Sequence, residues 1–150
     1  MEWDWNFVWQ IMPTLVEGAK ITVVATLLGF VLAAVLGLVI AVARRSANPW
    51  LARPVSLVVE FIRGTPLLVQ LYFLFYILPD IGITLAPLVA GVIGLGLHYA
   101  TYTAEVYRAG IENVPRGQWE AAKACNMTGG QTWRHVVLPL SLIHISEPTR

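Results

Sequence analysis

Cysteine occurs once in the 150 residues, at Cys125, so an intrachain disulfide is excluded and no set of thiolates exists to hold a metal. Charge is almost as scarce, at 13% of residues with a formal net charge of +1. The longest basic run is Arg44-Arg45, which gives no footprint for a nucleic-acid partner. No Gly-rich phosphate-binding sequence is present, so any nucleotide chemistry must belong to another chain. Neither a nucleophile with its base nor a cluster of metal ligands appears in the sequence, so catalytic and metal residues are both expected to be none. The opening Met1-Glu-Trp-Asp-Trp is acidic and aromatic, unlike a cleavable signal peptide with its basic start.

What the chain has instead is apolar surface. Hydrophobic residues make up 57%, against roughly half in ordinary globular domains, which also carry about a quarter charged residues. A water-soluble fold of this size leaves too much of its surface wet to hide that excess. Residues 21–43 (ITVVATLLGFVLAAVLGLVIAVA) contain no charge. At 1.5 Å per residue such a run reaches about 34 Å, enough for a hydrocarbon core of about 30 Å. The sequence predicts an all-α membrane protein with spans over about 20–43, 54–78 and 83–104. The second is expected to be one helix kinked at Gly64–Pro66, with Glu60 and Arg63 near one end. A turn at Pro79-Asp80-Ile81-Gly82 separates it from the third, whose Gly91, Gly94 and Gly96 suit close helix packing.

Basic residues set the expected orientation. Arg44, Arg45 and Arg53 follow the first span, and Arg108, Arg116, Lys123 and Arg134 follow the third. Glu2, Asp4, Glu17 and Asp80, with the single basic Lys20, fall on the other side. The positive-inside rule then places the N-terminus outside and residues 105–135 in the cytoplasm. Trp3, Trp5 and Trp9 fit an outer aromatic belt on a short amphipathic helix ahead of the first span. In the cytoplasmic segment Pro115 and Gly117 break the arriving helix, and residues 118–125 have helix-forming composition. Asn126 tolerates a left-handed backbone and can close that short helix. Ala121 and Ala122 offer it a low-profile face, which suits either a groove on a partner or a plain surface helix.

Glu120-Ala121-Ala122, position 126 and Val136-Val137-Leu138-Pro139 are spaced as in the EAA loop of ABC importer permeases. The stretches EFIRGTPLLVQ at 60–70 and YTAEVYRAGI at 102–111 resemble signatures of the polar amino-acid subfamily. The likeness covers about residues 18–139 and implies a type I importer permease domain over 1–139, with its EAA loop at 112–139 and three of the family's usual five spans. It further implies a multi-pass protein of the bacterial inner membrane. The implied partners are an ATP-binding subunit, a second permease subunit (the same chain or another) and an extracytoplasmic solute-binding protein. No cofactor is expected on this chain, since ATP is bound by the partner. Carried over residue by residue, Gly117, Glu120, Ala121, Ala122 and Asn126 take the coupling role. The family usually has glycine where Asn126 stands, so weakened rather than lost docking is expected.

The solute path has candidates in Arg63, Gln70, His98, Tyr102 and Glu105. His98, Tyr102 and Glu105 recur at i, i+4 and i+7 and share a helical face, as do Arg63 and Gln70. Arg63 and Glu105 match in kind the two charges of an amino acid, but Glu105 or Glu60 could equally pair with Arg63 or Arg108 to hold helices together. Residues 140–150 depart from the family pattern and read as a non-native tail. A small membrane scaffold docking a partner through residues 118–125, or a non-functional fragment, is the competing reading.

Overall fold

The computed structural model describes residues 5–141, and every regular element among them is helical. Residues 1–4 and 142–150 lie outside the described residues, so Trp3, the acidic start and nearly all of the expected tail go undescribed. Helix α1 runs from Trp5 to Arg44 without interruption, 40 residues in place of a short helix followed by a separate span. Pro13 lies inside it and does not break it. In an apolar run, continuing the helix keeps backbone groups paired, and one missing N–H costs less than an open break. Thr22 and Thr26 return their hydroxyls to Gly18 O and Thr22 O, at 2.9 and 2.8 Å, and so add no unmet polarity.

The second expected span is two helices. Helix α2 covers Pro49–Gly64, capped at its start by Asn48, whose side chain accepts from Trp50 N. Helix α3 covers Leu67–Tyr72 and runs on through a π turn at Phe73–Ile77 and a 3-10 turn at Leu78–Ile81. The two halves meet at 101°, far beyond a kink in a single span. Pro66 explains the break, because it has no N–H to give Ile62 O. That carbonyl instead accepts from Gln70 Nε2 at 2.7 Å and Thr65 Oγ1 at 3.1 Å.

Gly82, at φ 87°, ends this segment in a left-handed turn. Helix α4 then starts at Pro87, four residues later than expected, with proline in the first turn where its missing N–H is harmless. It continues to Glu112, past the expected end at 104. The added turns carry Arg108–Glu105 and Arg108–Glu112 pairs at i,i+3 and i,i+4 spacing. Among the described helices α1 alone is long and apolar enough to cross a membrane unaided, and the bent α2–α3 pair passes the same test only as one span. The polar His98–Glu105 stretch lowers the apolar content of α4.

Packing between α1 and α4 forms the body of the fold. The buried residues of α1 are Gly29, Ala33, Gly37 and Ala41, one small residue per turn on one stripe. A Cβ on Gly29 would meet Leu95 Cβ at 3.3 Å, and one on Gly37 would meet Thr103 Cβ at 2.9 Å and Ala100 O at 3.1 Å. Contacts rise together along both chains, so α1 and α4 are parallel and their C-terminal ends lie side by side. Gly94 and Gly96 are buried as expected of packing glycines, against Leu71 and Leu32. A Cβ on Gly91 would meet nothing within 4 Å among the described residues, so that glycine is not needed for close packing there.

Candidate functional site

The coupling element is helix α5, Arg116–Ala124, followed by Cys125 and then Asn126 at φ 54°. Asn126 is the one described non-glycine residue with a left-handed backbone, and its N–H reaches Lys123 O at 2.9 Å. The backbone expected of this position, left-handed and closing the short helix, is therefore the one observed. The alanine face needs correcting. Ala122 is only 3% exposed and turns inward, while Ala121 points out. Every position of α5 except Trp119 and Ala122 is exposed, and Gly117, Glu120, Ala121 and Ala124, spaced i, i+3, i+4 and i+7, form one stripe of that surface.

A small apolar platform holds that stripe outward. Ile111, Val114 and Val137 are buried together, with Trp119, Trp133 and Leu140 packed against them. The rings of Trp119 and Trp133 meet edge to face, with centroids 6.0 Å apart. Val137 belongs to the Val-Val-Leu-Pro stretch, so that motif anchors the element. Between the two parts, α6 (Gly129–Thr132) opens with a reciprocal cap in which Gln131 N–H donates to Thr128 Oγ1 and Thr128 N–H donates to Gln131 Oε1. Sequence reading had left this platform out. The signal for it was the pair of tryptophans spaced around the Thr128–Gln131 cap.

The five path candidates fall on one continuous polar seam between the α2–α3 break and α4. Gln70 Nε2 lies 3.2 Å from His98 Nδ1, and the His98 and Tyr102 ring centroids are 5.2 Å apart. The Arg63 guanidinium sits 5.1 Å over the Tyr102 ring and donates to Glu105 Oε1 at 3.3 Å. Beside them Thr101 is fully buried, its hydroxyl donating to His98 O at 2.7 Å. Gln70 Nε2 also donates to Thr65 O and Thr65 Oγ1, at 3.1 and 2.8 Å, so its amide is largely committed to the break.

Glu105 is the hub. Its Oε1 accepts from Arg44 as well as Arg63, and its Oε2 accepts from Arg108 Nε at 2.8 Å. Arg44, read from sequence only as a mark of orientation, is the partner that was missed; its helix ends beside Glu105 because α1 and α4 are parallel. Its Nε also donates to Ser56 Oγ of α2 at 3.3 Å. Arg44, first, and Arg108 hold the Glu105 carboxyl below its ordinary range; Glu105 lies one residue past the expected third span. Arg108 further pairs with Glu112, leaving three guanidiniums against two carboxylates, one positive charge in excess. Glu60 is exposed and joins no ion pair among the described residues. A largely apolar groove of about 300 Å³ opens beside the seam, lined by Phe61, Val69, Phe73 and Leu97 with Gln70 and Thr65 at its polar edge.

Residues 33–148 match the family described as binding-protein-dependent transport system inner membrane component. Over 136 residues the chain is 44% identical to a protein of Sinorhizobium fredii named "Probable amino-acid ABC transporter permease protein y4tG", covering 91% of this chain and 59% of the relative. It is 41% identical to the L-cystine transport system permease protein TcyB of Bacillus subtilis, covering 90% of this chain and 58% of that one. The chain thus spans a little under three fifths of the length of these two relatives. A solved structure described as "Crystal structure of an amino acid ABC transporter with histidines" superposes with a TM-score of 0.84 at 34% identity, over 97% of this chain and 68% of that one.

Proposed function

Because the chain belongs to the family of binding-protein-dependent transport system inner membrane components, we propose that it serves as the permease subunit of an ATP-driven importer of polar amino acids. It works in a bacterial inner membrane with a second permease subunit, an ATP-binding subunit and an extracytoplasmic solute-binding protein. The chain is a transport subunit and not an enzyme, and hydrolysis takes place on the ATP-binding partner. The N-terminus faces outward and α5 faces the cytoplasm, with α1, the α2–α3 pair and α4 passing through the bilayer. The amino-acid relatives support the substrate class.

The observation that carries this reading is the presentation of α5. Ala122 and the tryptophan platform fix the helix, and Gly117, Glu120, Ala121 and Ala124 stay free for a partner cleft. Asn126 closes the helix at the turn where a glycine would do so without strain. A pull on α5 passes through residues 113–115 to the end of α4, and from there through Glu105 to Arg44 and Arg63, which stand on α1 and α2. Movement at the ATPase can therefore tilt the α2–α3 segment against the α1–α4 pair. Along the seam, Arg63 and the excess positive charge suit a substrate carboxylate. Glu105, already serving three guanidiniums, is mainly a tie between helices.

The test is uptake of labelled polar amino acids by vesicles holding the assembled importer. ATP-dependent accumulation should require the ATP-binding subunit, and Glu120→Lys should abolish it while the protein stays in the membrane. A scaffold would give no accumulation with the unaltered chain, and normal uptake by Glu120→Lys would remove the coupling assignment.

A further inference from the structure

Helix α2 carries a surface that, apart from Phe61 at the rim of the groove beside the seam, neither the seam nor the coupling element uses. Its inner face, with Val59 buried, packs on the bundle, while Trp50, Leu57 and Phe61 stand out at 87%, 67% and 72% exposure. These three follow i, i+7 and i+11 spacing and form one apolar stripe. At 16 residues, about 24 Å, α2 is too short to cross a bilayer alone. Arg53 stands on the same face between Trp50 and Leu57. Two neighbouring clefts of about 340 Å³ each share Arg53 and Leu57, one completed by Pro49, Trp50 and Pro54, the other by Ala52 and Ser56.

Position and charge identify the occupant. The apolar run of α1 ends at Ala43, and Trp50 follows Arg44 by six residues, at most about 20 Å of chain, which keeps it near the membrane edge. Unlike Arg44, Arg45 and Arg53 join no ion pair among the described residues, and Glu60, two turns beyond Arg53, is the acidic group on this helix. Asn48 already caps the helix start, so the arginine and not the helix end supplies the attraction. We propose that the Trp50–Arg53–Leu57 face is a binding site for an anionic phospholipid, with the headgroup phosphate at Arg53 and an acyl chain along Leu57 and Phe61. An indole ring at headgroup level, a cation beside it and an apolar stripe below match the three zones of such a lipid.

The test uses the full chain reconstituted in bilayers containing phosphatidylglycerol or phosphatidylcholine brominated on the acyl chains, which quench nearby tryptophan. The fluorescence component that W50F removes isolates Trp50 from the other five tryptophans. For that component phosphatidylglycerol should be favoured over phosphatidylcholine about fivefold, the expected effect of one arginine near an anionic headgroup. R53Q should bring the ratio close to one, R53K should preserve it, and high salt should weaken it. A ratio near one in the parent chain overturns the assignment, as does a ratio that R53Q leaves unchanged or that R53K loses. Protection of Trp50 from both lipids also overturns it, since another protein chain would then cover this face.

Discussion

Replacing Gly37 with alanine tests the packing that sets α1 and α4 side by side. The new Cβ would lie 2.9 Å from Thr103 Cβ and 3.1 Å from Ala100 O. Ordinary contacts begin near 3.4 Å, and both obstacles belong to the backbone or sit directly on it, so no side-chain rotation removes the clash. The helices must separate by about half an ångström, and a gap of that size gives up a quarter or more of the dispersion energy along the seam. Overpacking of this kind costs about 1–3 kcal/mol. Gly91 is the control, because nothing lies within 4 Å of its added Cβ. Gly91→Ala should be neutral or stabilising by up to about 1 kcal/mol, through lower backbone entropy in the unfolded chain. Gly96→Ala, which meets Leu32 as far back as its Cβ, should be worse than Gly94→Ala, which meets only outer atoms of Leu71 and Leu74. Equilibrium unfolding in one fixed detergent, followed by circular dichroism, reads all four. The packing argument fails if Gly37→Ala matches the parent or if Gly91→Ala proves the more damaging.

Glu105→Gln removes the acceptor shared by three arginines and should cost about 1–3 kcal/mol, between the values for surface and buried pairs. Arg44→Gln should cost more than Arg63→Gln, since the Arg44 side chain is 19% exposed and that of Arg63 is 41%; thermal unfolding of the three variants gives the order. Because the folded-state carboxyl is held below its ordinary range, its contribution is fully present above that range and is lost as pH falls beneath it, down through the lowered folded-state value. Parent and Glu105→Gln should therefore differ at neutral pH and converge in acid. Asn126→Gly should gain up to about 1 kcal/mol by relieving the left-handed backbone at φ 54°, and Asn126→Val should lose stability in the same unfolding assay.

How much of this was legible follows from which residues speak for themselves. The uncharged run of α1 announced a membrane helix by length alone, yet the same composition hid its start, since nothing between Trp5 and Lys20 marks a boundary that Pro13 failed to make. Gly64-Thr65-Pro66 marked the place of a kink in one expected helix, where the structure has a break between two. The 101° angle was not readable, because it depends on Gln70 replacing the N–H that Pro66 lacks and on Leu71 meeting Gly94 across the interface. Spacing on α4 put His98, Tyr102 and Glu105 on one face. It could not bring in Arg44, since that pairing needs the parallel run of α1 and α4, which only the small-residue stripe creates. At the coupling helix the motif located the element and its left-handed end. Its outward face depends on a cluster that joins Ile111 and Val114, at the end of α4, to Val137, more than twenty residues later in the chain.

The central claim is that the Gly117–Glu120–Ala121–Ala124 stripe seats in a cleft of an ATP-binding subunit. Disulfide cross-linking in inside-out vesicles under an added thiol oxidant measures this directly, with Cys125 changed to serine, single cysteines placed at 121 or 122, and one cysteine introduced into the cleft of the ATP-binding subunit. The account predicts a cross-link to the ATP-binding subunit from Ala121→Cys and none from Ala122→Cys, whose position is 3% exposed. Equal cross-linking from both positions, or none from Ala121→Cys in vesicles that still transport, would contradict it.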